Sequence, residues 1–205
     1  MKMSKKVEEQ EKEILVDPEF GYLDMRTYEF DTFKELKRFI KLVETMVRRS
    51  PEYKIWVEFI KDTKGQNYCY FTQEIGEEVT IDIHHHPFTL FDLITVIINN
   101  KLDKEPDKGI VSYEIAQELM SLHYRDLVGY IPLVRTLHEK FHNGYLDIPI
   151  NLVEGKWEKI LEIYEIPNDL MEKVERYRSI VSEETDLYNW SKGHYNMSVQ
   201  DQLTI

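Results

Sequence analysis

Five of the seven histidines in this sequence fall into two short motifs. One is the run from Val79 to Pro87, VTIDIHHHP. The other is Thr136 to Gly144, TLHEKFHNG. A neutral imidazole offers a lone pair to a divalent cation, and histidines four apart on a helix turn both rings to one face. His138 and His142 have that spacing. In the first motif Val79, Ile81 and Ile83 alternate with Thr80, Asp82 and His84, which is the period of a strand and sets Asp82 and His84 on one face. A histidine at the end of that strand can join His138 and His142 as a third metal ligand. Three protein ligands leave coordination positions open, which a catalytic centre needs. A second strand histidine, on the other side of the backbone, can stay unmetallated and take a proton from water, because the unperturbed imidazole pKa lies near neutrality. A ligand and base pair formed by His85 and His86 is the alternative register. Asp82 is a candidate further ligand or a partner that orients an imidazole, set against the plainer reading of a solvated strand carboxylate.

The elements that must carry these residues can be read from the surrounding pattern. Thr32 and Glu35 have the spacing of a capping box, and Phe33, Leu36, Ile40, Val43 and Val47 recur at helical period. They predict an amphipathic helix over residues 33–49, ended by Pro51. Tyr22 to Phe30 reads as a strand. Tyr53 to Ile60 and Asn67 to Thr72 read as strands of a small antiparallel meander, turned at 62–65 and completed by the Val79 strand. Thr89 is expected to cap a helix to about Asn100, apolar nearly all round, and Ser112 a second one with Ile115, Leu119 and Leu122 on its inner stripe. Leu127 to Leu133 reads as extended, and Asn143-Gly144 stops the His138 helix. Leu146 to Asn151 also reads as extended. Helices are expected over 157–164 and from Pro167 to about Val181.

The fold class that results is α+β. Residues 1–20 read as a charged tail, 21–181 as a single domain, and 182–205 as a second tail. The C-terminal region is a candidate surface for a protein partner. His123 reads as a packed or capping residue. Tyr68, Tyr70, Trp56 and Phe71 are candidates for stacking bases, with core packing the plainer alternative. Lys37, Lys41, Arg48 and Arg49 are candidates for a basic helix face, with an ordinary polar face preferred.

The bulk numbers narrow the functional classes. A single cysteine, Cys69, excludes a disulfide framework and a cysteine-based zinc site. The N-terminal stretch lacks the apolar core of a signal peptide, and the apolar run from Phe88 to Ile98 is too short to span a bilayer. An intracellular, cytoplasmic protein without a membrane partner is expected. The formal net charge of −12 argues against generic coating of duplex DNA, because such affinity comes from neutralising phosphates.

The strand-ending histidines followed by proline, with the distal PLVRTLHEKFHNG run over 132–144, resemble the HNH (His-Me finger, ββα-metal) endonucleases in their His-x-x-x-His form. The likeness covers residues 79–88 and about 128–144. It implies a finger built from 79–87 and 127–144, with a helical insert (88–126) folded outside it. It further implies a metal-dependent phosphodiester hydrolase acting on DNA or RNA. His84, His138 and His142 would hold Mg²⁺, Mn²⁺ or Zn²⁺, His85 would be the base, and Arg135 would contact a phosphate. The family usually has an Asn nine residues before the first helix histidine, where this chain has Gly129. That departure supports an alternative, an inactive binding or inhibitory protein that keeps the finger as a scaffold.

Overall fold

A computed structural model describes residues 27–182. The expected tails, residues 22–26 of the first expected strand, and His194 lie outside the described residues. The fold is α+β: a helical layer carries two short antiparallel strand pairs.

Strand β1 (Thr27–Tyr28) leads into helix α1 (Phe33–Arg49). The capping box forms as expected: the Thr32 hydroxyl accepts from the Glu35 amide, and the Glu35 carboxylate accepts from the Thr32 amide. Phe39, Ile40, Val43, Met46 and Val47 make the buried stripe. Pro51 does end α1, but it does so by starting a new helix. Ser50 caps helix α2 (Pro51–Glu58), its hydroxyl accepting from the Tyr53 amide at 3.1 Å, and Pro51 sits in the first turn where its missing N–H costs nothing. The strand expected over Tyr53 to Ile60 is therefore helix, continued by a π-type turn at Phe59–Thr63. Aromatic and β-branched composition was a weaker determinant than a cap followed by proline. The segment from Asn67 to Thr72 contributes only an isolated bridge, Tyr68 to Ile75, so the expected meander does not form.

Strand β2 (Ile81–His85) pairs with a distant segment instead. Its antiparallel partner is β4 (Tyr130–Val134), in the register Ile81 to Val134, Ile83 to Pro132 and His85 to Tyr130. Pro132 is tolerated because a two-stranded pair has no central strand. The residues between these strands form helix α3 (Leu90–Lys104), with its own Thr89/Asp92 capping box, then β3 (Ile110–Val111) and helix α4 (Ser112–Tyr124). Strand β3 pairs with β1. Helices α1, α3 and α4 pack on one another and hold the main core, which reaches the finger through Ile83, Phe88, Val128 and Tyr130.

Helix α5 (Arg135–His142) follows β4 without a loop and ends at Asn143, with Gly144 in the left-handed region at φ +75°. A 3₁₀ turn at Ile150–Leu152 stands in the stretch read as extended, and another at Trp157–Lys159 opens α6 (Ile160–Ile163). Helix α7 (Asn168–Ser182) packs against the Ile150–Leu152 turn.

Candidate metal centre

Strands β2 and β4 and helix α5 bring three imidazoles together from the two distant motifs. One ligand nitrogen from each of His84, His138 and His142 lies within 4.8 Å of the other two. The ring centroids are 4.9 Å apart for His84 and His138, 5.1 Å for His84 and His142, and 4.6 Å for His138 and His142. The strand period turns His84 toward α5, and the one-turn spacing stacks the two helix histidines above each other.

Burial differs sharply around the cluster. His84 is 2% exposed, and its Nε2 is shut off from solvent with no hydrogen-bond partner among the described residues. A buried polar nitrogen left unpaired costs roughly 1–3 kcal/mol, so an orphan of this kind calls for a ligand. Burial, followed by the neighbouring imidazoles of His138, His86 and His142, pushes its pKa down to about 2, so at neutral pH it keeps its lone pair for a cation. His142 is exposed, and its pKa is lowered by partial burial and then by His138. The His138 Nδ1–H donates to Asp82 Oδ2 at 3.1 Å, which leaves Nε2 as the free nitrogen, facing His142 Nε2 at 2.9 Å. A carboxylate behind a ligating imidazole is the arrangement that fixes tautomer and ring orientation at metal sites. The donor set therefore fits a divalent metal. Three imidazoles favour zinc and its neighbours over magnesium, which prefers oxygen.

Arg135 lies at the rim, 62% exposed, with Nε 3.6 Å from Asp82 Oδ2. Its guanidinium reaches solvent beside the cluster.

The base expected at His85 is not at this site. His85 is on the opposite face of β2, 5% exposed, stacked on Trp56 at 5.6 Å and on Tyr53 at 6.1 Å. Its Nε2 faces His123 Nε2 at 3.0 Å, and the His123 Nδ1–H donates to Leu119 O at 2.7 Å. The bond to Leu119 makes His123 Nε2 an acceptor, so His85 is the donor of the pair. Burial holds both imidazoles neutral, His123 at about 4. A base must lie within hydrogen-bond reach of the proton it takes, and no water at the His84 face can reach His85 through the strand. The alternative register fails as well: His86 donates to Ile148 O at 3.0 Å and packs its ring on Tyr177 at 4.2 Å.

Gly129 explains the absent Asn in physical terms. A Cβ there would stand 2.0 Å from the carbonyl oxygen of His86, and the Gly129 carbonyl accepts from the His86 amide at 3.0 Å. The backbone of β2 occupies the space a side chain would need.

A family match spans residues 2–203, nearly the whole chain, to the bacteriophage G278-like virion proteins. The chain belongs to that family. No curated protein and no solved structure matches it. Nor is any helix among the described residues of this virion-family chain long and apolar enough to cross a membrane.

The remaining candidates resolve into packing. Trp56 is buried, and Tyr70 and Phe71 are half-buried against the small cluster of Ile131, Leu133, Ile148 and Leu152. Arg48 is engaged with Glu44 at 3.0 Å. Sequence reasoning missed the joined His85–His123 pair. Its signal was present, since His123 falls on the same helical stripe as Ile115 and Leu119.

Proposed function

We propose that the protein is a metal-held binding component of the phage particle, built on an HNH-like ββα finger that serves as a scaffold and not as a nuclease. The observation that carries this reading is the orphaned Nε2 of His84, buried in a cluster whose ligand nitrogens, one each from His84, His138 and His142, lie within 4.8 Å of one another. A cation held there joins β2 to α5 and supplies a cross-link that neither element makes for itself. The scaffold role is favoured over hydrolysis by two placements: His85 is locked to His123 in the core, and Gly129 stands where the family has its orienting Asn. The family's description as virion proteins supports a place in the particle over a free cytoplasmic protein.

A second reading, metal-dependent phosphodiester hydrolysis of DNA or RNA, is favoured by one observation. The exposed imidazole of His142 and the exposed guanidinium of Arg135, which pairs with Asp82, both belong to the helix of the cluster, where a phosphate could approach. A cation there would stabilise charge on the departing oxygen. Cleavage of plasmid and of RNA by the zinc-, manganese- or magnesium-loaded full chain separates the two. The scaffold reading expects about one zinc per chain and no cleavage above the metal-free control. Cleavage that disappears in His84→Ala would install the hydrolase in its place.

A further inference from the structure

We infer that α5 is a cation-dependent latch over Cys69, closed when His84, His138 and His142 share a metal and open when they do not. This inference rests on the metal-held finger proposed above and adds what the cation controls.

Helix α5 is poorly supported by its own sequence. It is eight residues long, below the length at which an isolated helix persists in water. Its N-cap is Val134, with no side-chain cap bond, and its first turn has no acidic residue. Arg135 puts a positive charge at the positive end of the helix dipole. Tertiary anchoring is equally thin. Leu137 is its single buried residue, and Phe141 is half-buried against His84 with ring centroids 4.4 Å apart. Beyond these two side chains the helix is tied to β2 by the histidine cluster, by Asp82, which pairs with both His138 and Arg135, and by the Arg135 amide donating to Thr80 O just before the strand. A cation on the three imidazoles would add to these a direct bond between α5 and β2.

Beneath the helix, Leu137 closes a small apolar cluster with Cys69, Ile81 and Val134. Cys69 is fully buried and is the single cysteine of the chain. Lifting Leu137 would remove one of the residues that enclose Cys69, the others being Ile81 and Val134 with Phe71, Val79 and Leu146 packed on them, while the main core, centred on α1, α3 and α4, contains no α5 residue. The chain thereby contains its own reporter for the latch.

The test uses the full chain, an alkylating reagent, and zinc or a chelator. Local opening is suppressed by any ligand that binds only the closed state. Zinc at 100 times its dissociation constant should therefore slow Cys69 alkylation by about 100-fold relative to chelated protein. Hydrogen exchange should show the zinc-dependent protection concentrated in Arg135–His142 and its neighbour β2. In His142→Ala, which alters an exposed side chain, alkylation should stay fast with zinc present. If zinc binds but Cys69 reacts equally fast in both states, the latch is overturned and the metal reading stands. If chelation instead releases protection throughout α1, α3 and α4, the cation supports the whole domain and a local latch is again wrong. If zinc does not bind, the metal reading fails and takes the latch with it.

Discussion

At the scale of single residues, Asp82 and His84 divide the work of one strand face. His84 brings a dehydrated lone pair, and Asp82 aims His138 by accepting its Nδ1–H. Asp82→Asn keeps the shape and weakens the acceptor. We expect zinc affinity to fall about 10- to 100-fold, the range seen when such partners are removed, with little change in thermal stability of the metal-free protein. Competition titration against a chromophoric chelator measures it, and unchanged affinity would remove Asp82 from the site. Gly129 is the second residue whose type is dictated by contact. Gly129→Ala drives a Cβ into the His86 carbonyl, a backbone atom that cannot swing aside. The expected loss is about 2 kcal/mol or more in urea unfolding, and a neutral result would mean that β2 and β4 are not joined as described.

At the scale of elements, the finger is made by pairing strands separated by two helices. The alternation of Ile81, Asp82, Ile83 and His84 announced β2 and its faces, and the four-residue spacing of His138 and His142 announced the helix. Those local periods made the three-histidine cluster legible, because each is set by the geometry of one element. Partner choice was less legible. The meander was expected from aromatic and β-branched runs near Tyr53, but the Ser50 cap and Pro51 start a helix there, and β2 turned to β4. The role of His85 was illegible for the same reason. A strand tells which residues share a face and not what packs against it, and here Trp56 and Tyr53 of α2 fill the side where the base was expected to meet water. Helix α2 was the misread element, so its consequence for His85 could not be read either.

At the scale of the whole molecule, neutral imidazoles inside the core tie stability to pH. His123 faces His85 from β2 and Tyr53 from α2, and it lies within the field of Arg48 from α1. Burial is the main cause of its lowered pKa, about 4 against an ordinary 6.5, with Arg48 acting in the same direction and the bond to Leu119 O opposing. The unfolded chain therefore binds the proton more tightly. Stability from this group is complete above pH 6.5 and drains away as pH falls toward 4, by on the order of 3 kcal/mol. Urea unfolding between pH 7 and pH 4 should show that decline, with a shallower slope in His123→Gln; identical slopes would mean that His123 does not stay neutral in the folded protein. The family match is to phage virion proteins, and on the proposed reading a cation at the three imidazoles would join β2 to α5. X-ray absorption at the zinc edge of the full chain tests that join most directly. The account predicts three imidazole nitrogens at about 2.0–2.1 Å, reduced to two in His84→Ala. A first shell of oxygen alone, or one unchanged by His84→Ala, would contradict it.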